Sequence, residues 1–299
     1  MKVLITGGSG FVGTYLQAHS RAEGDEVISV DRSGSEHLDI TDRDAVEQSF
    51  ARHRPDVVYH LAALAHVGES WGDPTGVLRV NVEGTAHVLN AARAVDVGRV
   101  ILIGSAEEYG NVEERDLPLC EDAPLRPASP YGVSKIAASF LGLQAHLAYG
   151  LDVVRVRAFG HTGPGQSDRF LVPALARRIA VAERDEQDEI RVGSLDPIRD
   201  LSDVRDVVRA YRLLAQRGEA GAVYNVCSGS GVSVREIANH LVAAARRPLR
   251  ITVDPELVRP VDVPRLVGNG SKLRERTGWA PEYRLDETLA TVLDDARTR

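Results

Sequence analysis

The chain has 299 residues, 43% of them hydrophobic, two cysteines and a formal net charge of −7. That length and apolar content can bury one large core, or a core plus a smaller lobe, and the acidic balance argues against nucleic acid or an anionic membrane as the main partner. Two cysteines are too few for a disulfide scaffold, so Cys120 and Cys227 are expected as free thiols in a reducing compartment. The first residues enter a strand directly and no apolar run approaches a membrane span, so the expected location is the cytoplasm.

In chain order, residues 2–6 (Lys-Val-Leu-Ile-Thr) read as a buried strand and residues 11–22 as a helix, with GGSGFVG from Gly7 to Gly13 between them. Strand, glycine turn and helix in that order make a cradle for the diphosphate of a dinucleotide. Gly7 allows the tight turn, Gly10 lets backbone N–H groups approach the anion, and Gly13 permits close helix–strand packing, with the helix N-terminus facing the charge. A second strand, residues 26–30, ends at Asp31, near the distance at which an acidic residue meets the adenosine ribose. Asp31 favours NAD, whereas the adjacent Arg32 suits the extra phosphate of NADP, and both dinucleotides stay open.

A helix over residues 42–53, a strand over 56–60, one long helix over 74–95 and a strand over 99–104 follow. After the loop with Ser105 come a helix over 129–149 and a strand over 151–157. Alternation of this kind predicts an α/β fold with a doubly wound parallel sheet, a Rossmann domain. Beyond Ala158 the pattern loosens: the loop GHTGPGQSDR is rich in turn formers, and residues 255–270 carry proline, arginine and glycine without clear periodicity. The expected division is a dinucleotide-binding domain over 1–158, completed by about 201–226. A smaller C-terminal lobe over about 159–200 and 227–299 would cap the carboxyl ends of the strands, where ligands bind.

Tyr131 and Lys135 lie four residues apart in the helical segment 129–149, so their side chains share one face. Only three lysines occur, at 2, 135 and 272, so composition alone rarely places one four residues after a tyrosine. A phenol with its ordinary pKa near 10 transfers protons poorly at neutral pH. A lysine ammonium and an oxidised nicotinamide beside it would favour the phenolate and lower that value. Together the glycine cradle and this proton-transfer pair imply hydride chemistry at a carbinol or carbonyl carbon.

The chain resembles the extended short-chain dehydrogenase/reductases that act on nucleotide sugars. The motifs that carry the resemblance are GGSGFVG, HLAALAHV from His60, NVEGT from Asn81, SAEEYG from Ser105, SPYGVSK from Ser129 and IRDLSDVRDVVRAY from Ile198, spread over nearly the whole length. It implies that Tyr131 gives a proton to the sugar's C4 oxygen, that Lys135 holds the nicotinamide ribose, and that Ser105 hydrogen-bonds the reacting oxygen. It places Asp39 against adenine, Ala62 and Ala63 near the dinucleotide, and Phe11, Val12, Ile40 and Leu61 beside it. Asn81 would order the active-site helix or cap a helix. Arg199 and Arg259 match positions that grip the sugar nucleotide's diphosphate, for which a guanidinium fork is suited. Asp200 and Asp203 are expected to orient Arg199 or to cap the following helix.

Two positions depart from the pattern of many relatives. Gly160 stands where an asparagine is common, so that its phosphate contact is either missing or replaced by Gln166 and the loop backbone; the neighbouring His161 offers a catalyst by type, but a lone loop histidine reads as structural. Glu107 stands where the related 4,6-dehydratases place a catalytic glutamate, although epimerases and decarboxylases of the group carry one too. The resemblance implies NADPH- or NADH-dependent reduction of the C4 keto group of a nucleotide-linked 4-keto-6-deoxyhexose, with GDP-4-dehydro-6-deoxy-D-mannose to GDP-D-rhamnose the favoured case. A dTDP-linked keto-sugar reductase, a nucleotide-sugar 4-epimerase, a 4,6-dehydratase and a non-catalytic binding member of the fold are the alternatives. No metal site is expected, and the long helices suggest a homodimer.

Overall fold

Six segments of the first half become strands in the computed structural model, which describes residues 1–34, 36–258 and 263–299. They are β1 (Lys2–Thr6), β2 (Glu26–Asp31), β3 (Glu36–His37), β4 (Val57–His60), β5 (Arg99–Ser105) and β6 (Val153–Ala158). The chain then leaves this sheet for β7 (Gly160–Thr162), β8 (Glu189–Val192) and β9 (Ile198–Asp203), and returns to it with β10 (Val223–Val226). Among the described residues the large sheet has seven strands in the order β3-β2-β1-β4-β5-β6-β10, every pair parallel. The strand order reverses direction between β1 and β4, and a crevice outside their carboxyl ends is where such sheets bind ligands.

Helices cover both faces, which is why β1 and β4 read as continuous apolar runs rather than alternating ones. One face packs α1 (Phe11–Ala22) through Leu16, with later helical residues Val207, Tyr211 and Leu214. The other packs α2 (Arg43–His53) through Val46 and Phe50, and further helices through Val88, Leu89 and Ala145.

The segment expected as one helix over 74–95 is instead α3 (Pro74–Leu78), a π-helical turn at Arg79–Glu83, and α4 (Gly84–Ala94). The wider turn carries Asn81, 1% exposed. Its Oδ1 accepts from Leu64 N at 2.8 Å, and its Nδ2 donates to Leu64 O at 3.1 Å and to Ser134 Oγ at 2.9 Å. A tertiary demand of this kind is invisible to periodicity, and π turns gather at functional sites for that reason. Asn81 therefore does not cap a helix.

The helix predicted over 129–149 is α5 (Pro130–Tyr149). Ser129 Oγ accepts from Gly132 N at 3.1 Å, proline fills the first helical position, and Gly150, at φ 72°, closes the end in the left-handed region.

Beyond Ala158, where the sequence lacks clear periodicity, the chain forms further elements. They are α6 (Leu171–Arg184), α7 (Val204–Arg217), β11 (Gly231–Ser233), α8 (Val234–Ala243), β12 (Arg250–Val253), β13 (Arg265–Leu266), α9 (Ser271–Thr277) and α10 (Leu285–Thr298). β9 pairs with β7, β11 and β13 in a small sheet, and β8 pairs with β12. Helices α6, α8 and α10 close a separate apolar cluster around Ile179, Ile237 and Leu293. These strands are two to six residues long and pair with segments up to about 70 residues away, so no local pattern announces them. β9 runs through residue 201, and the chain rejoins the large sheet's face only with α7. Among the described residues no helix is long and apolar enough to cross a membrane.

Candidate active site

The cradle forms at the carboxyl end of β1. Gly7 sits at φ 71°, and its N–H donates to Val30 O at 3.0 Å, which turns the chain sharply into α1. At Gly13 a Cβ would collide with the carbonyl oxygens of Gly7 and Gly8, so only glycine lets helix and turn pack this closely. No side chain caps α1, and its first turn holds no acidic residue. Those N-terminal N–H groups suit an anion.

One cavity of about 610 Å³ receives the loops that follow β1, β2, β4, β5 and β6. Gly7, Gly10, Phe11, Val12 and Gly13 line it from the turn, Asp31, Arg32, Asp39 and Ile40 from the ends of β2 and β3, and Leu61, Ala62 and Ala63 from beyond β4. Asp31 accepts from Ser9 N and Ser33 N, both at 3.2 Å. Asp39 accepts from Thr41 N at 2.9 Å and from Thr41 Oγ1 at 2.8 Å, and the Thr41 N–H holds its carboxyl below the ordinary range against the opposing effect of burial. Both carboxylates are thus fixed in place before any ligand arrives.

Ser105, Glu107, Tyr131 and Lys135 line the same cavity. Ser105 ends β5, while Tyr131 and Lys135 stand one turn apart on α5, and all three are buried. Lys135 Nζ donates to Ile103 O at 2.8 Å and lies 5.9 Å from the Tyr131 ring centroid. Ser105 Oγ accepts from Glu107 N at 3.2 Å and also hydrogen-bonds Tyr131. The expected lowering of the phenol's pKa is not what the protein's own groups produce. Burial pushes Tyr131 above its ordinary value, the Ser105 hydrogen bond only partly opposes this, and the charges of Glu107 and Glu108 push the same way as burial. Lys135 moves down to about 8, because burial outweighs the attraction of Glu108.

Gln166 and Arg199 also line the cavity. Gln166 spends both ends of its amide within its own loop: Oε1 accepts from Thr162 Oγ1 at 2.8 Å and Nε2 donates to His161 O at 3.1 Å. Its side chain thus braces the loop with one of the two amide N–H groups, while Gln166 also lines the cavity. His161 is held by Phe159 O at 2.9 Å and stacks on Phe11 with ring centroids 6.3 Å apart; burial lowers its pKa, keeping the imidazole neutral.

Arg199, on β9, donates from Nη1 to Ile198 O at 3.0 Å. Asp200 neither caps a helix nor orients Arg199: its two oxygens accept from Ser228 N and Oγ, Gly229 N and Gly268 N, pinning two distant loops. Asp203 does cap α7, through Arg205 N at 2.8 Å. Arg259 lies outside the described residues. Among the described residues no cluster of histidine, cysteine, aspartate or glutamate could hold a metal ion.

Sequence reasoning passed over Glu108, which is wholly buried behind Ser105 and paired with Arg157 at 2.9 Å. No local signal marked it, because Glu107 and Glu108 leave β5 in a 3-10 turn, where the two-residue alternation of a strand no longer decides which side chain faces inward.

A uniformly parallel seven-stranded sheet, an uncapped glycine turn and a buried serine, tyrosine and lysine around one cavity define an extended short-chain dehydrogenase/reductase. The sequence profile of the GDP-mannose 4,6 dehydratase family matches residues 4–292, and the chain belongs to this family of nucleotide-sugar enzymes. It is 37% identical over 302 residues to GDP-6-deoxy-D-mannose reductase of Pseudomonas aeruginosa, covering 100% of this chain and 98% of that protein. The structure of RMD from Pseudomonas aeruginosa complexed with NADPH superposes with a TM-score of 0.91 at 37% identity, covering 100% of both chains. UDP-glucose 4-epimerase of Thermus thermophilus, in complex with NAD, superposes with a TM-score of 0.88 at 29% identity, covering 99% of each chain.

Proposed function

We propose that the protein reduces the C4 keto group of a nucleotide-linked 4-keto-6-deoxyhexose, with GDP-4-dehydro-6-deoxy-D-mannose as substrate and GDP-D-rhamnose as product. The observation that carries this reading is the convergence of Ser105, Tyr131 and Lys135 on the cavity that the Gly7–Gly13 turn also lines. The 37% identity over the full chain to a reductase of that name supports the GDP-linked sugar.

The residues fit a nicotinamide dinucleotide: an uncapped helix start for the diphosphate, and fixed carboxylates at Asp31 and Asp39 for the adenosine half. NADPH or NADH bound there supplies hydride. Tyr131, kept protonated by burial, donates its proton to the C4 oxygen as negative charge develops. Ser105 shares that oxygen, so two donors stand in place before the charge appears. Lys135 holds the nicotinamide ribose, and Arg199, with Arg259, grips the diphosphate of the sugar nucleotide. In this reading residues 1–158 with about 201–226 hold the dinucleotide, and 159–200 with 227–299 hold the sugar nucleotide.

A 4,6-elimination is the second reading, favoured by Glu107, which lines the cavity and acts on the Tyr131 phenol through its charge. We also infer a homodimer in the cytoplasm. Val133, Phe140 and Leu147 recur every seven residues along α5 and are 46%, 50% and 74% exposed, a stripe that a second copy of this helix would cover.

Absorbance of NADPH, then NADH, followed on mixing the protein with GDP-4-dehydro-6-deoxy-D-mannose or the dTDP-linked keto sugar tests the reading, with products identified by NMR. Stoichiometric cofactor oxidation with the GDP sugar is expected. Oxidation only with the dTDP sugar moves the enzyme to that substrate, and no oxidation with either moves it to epimerisation or elimination.

A further inference from the structure

We infer that Glu108 is a positioning residue of this site: its buried carboxylate braces the Ser105 backbone and supplies the negative charge that faces the Lys135 ammonium. The inference rests on the reduction proposed above. Glu108 exposes no surface, and its two oxygens have separate tasks. Oε1 accepts from Ser105 N at 3.0 Å, and Oε2 accepts from Arg157 Nε at 2.9 Å. Burial raises the Glu108 pKa, while the Arg157 charge and the Ser105 N–H oppose that rise; with both oxygens facing N–H donors, the ionised carboxylate is the form the hydrogen bonds fit. Arg157 is anchored in turn, donating from Nη1 to Tyr109 OH at 3.0 Å and to Glu121 O at 2.8 Å, so the carboxylate has no room to swing.

The end of β5 is shaped around this side chain. Residue 104 is glycine, and a Cβ there would run into Glu108 Oε1 and Val156 O. Lys135 is tied to the same strand end through Ile103 O. Three consecutive residues, 103 to 105, thus join Lys135, Glu108 and the Ser105 hydroxyl into one rigid unit.

The charges around this unit are few and unequal. Arg155 and Arg157 from β6, Lys135 and Tyr131 from α5 and the adjoining Tyr109 face Glu108. Glu108, Tyr131 and His60 from β4 face Lys135. Three buried cations therefore share one buried carboxylate. Burial drives the Lys135 ammonium toward its neutral form, and Glu108 is the group that opposes it. Without that charge Lys135 would give up its proton near neutral pH and with it the grip on the ribose.

Lysine labelled with ¹³C at the ε carbon tests this directly by NMR. With lysines only at 2, 135 and 272, loss of a signal in Lys135→Met assigns it. Glu108→Gln keeps an oxygen for the Ser105 N–H but removes the charge, and the Lys135 midpoint is expected to fall by about one pH unit or more. Binding of NADPH and NADH, followed by nicotinamide fluorescence, is expected to weaken up to about tenfold around the wild-type midpoint and to recover at lower pH.

Neither readout needs substrate or turnover, so a wild type that fails to reduce the keto sugars would sink the reductase reading while leaving this result legible. Should Glu108→Gln not fold, Glu108→Asp, which withdraws the charge by one methylene, is expected to give a smaller fall in the same direction. An unchanged Lys135 midpoint in the folded variant, or a loss of cofactor affinity equal at every pH, overturns the inference.

Discussion

Asn81 reaches across 53 residues of chain to donate to Ser134 Oγ at 2.9 Å, tying the π-helical turn between α3 and α4 to the face of α5 that carries Tyr131 and Lys135. Because the same side chain satisfies both Leu64 N and Leu64 O, it also fixes the segment that leaves β4 along the cavity. Asn81→Ala would strand these buried groups, and a stability loss of about 1–3 kcal/mol is expected by urea unfolding. Turnover should fall with it, as the helix of Tyr131 loses its tether. A variant as stable as wild type would refute the tether.

Tyr131→Phe removes the proposed donor while keeping the ring and its packing. Turnover of the keto sugar is expected to fall by about 10²–10⁴. NADPH affinity should stay within a few-fold and the melting temperature nearly unchanged, because the lost hydroxyl bonds Ser105 and no structural partner. Near-normal turnover would remove Tyr131 from the chemistry.

Lys135 titrates near 8 in the folded protein against an ordinary value of 10.5, because burial disfavours its charge. Between those values the unfolded chain holds a proton that the native state has released, so this group's contribution to stability rises with pH through the window and is least below it. Lys135→Met is expected to be more stable at neutral pH by on the order of 1–3 kcal/mol and to lack that rise. It should also lose cofactor affinity. Denaturant titrations at several pH values check the slope, and a variant less stable at pH 7 contradicts the sign.

Arg32 follows Asp31 at the end of β2 and lines the cavity with it. If its guanidinium meets a 2′-phosphate, Arg32→Ser lowers NADPH affinity by about tenfold while NADH affinity hardly moves. Isothermal titration with both cofactors measures the ratio. An unchanged ratio would assign the cofactor's ribose to Asp31 alone.

Much of the candidate site was legible because it depends on local pattern. A glycine at positive φ followed by a helix start is a short-range requirement, and GGSGFVG states it within seven residues. Tyr131 and Lys135 share a face because α5 is regular and both of its ends are marked, by Ser129-Pro130 and by Gly150. What stayed hidden lies in pairings between distant segments. Glu108 and Arg157 meet across 49 residues, and nothing near either one says that it is buried. Gln166 lines the cavity, and its bonds to Thr162 and His161, which brace the loop, were not announced by the turn formers around it.

By itself, then, the sequence determined the strand–turn–helix cradle, the alternating order of the first 158 residues and the spacing of the proton-transfer pair. All three follow from backbone periodicity and from the stereochemistry of glycine and proline. Tertiary structure alone decided the small sheet around β9, the π turn at Asn81 and the direction in which the Tyr131 pKa moves. Desolvation depends on everything packed around a group, and a strand of two or three residues gains its identity only from the partner that accepts its hydrogen bonds.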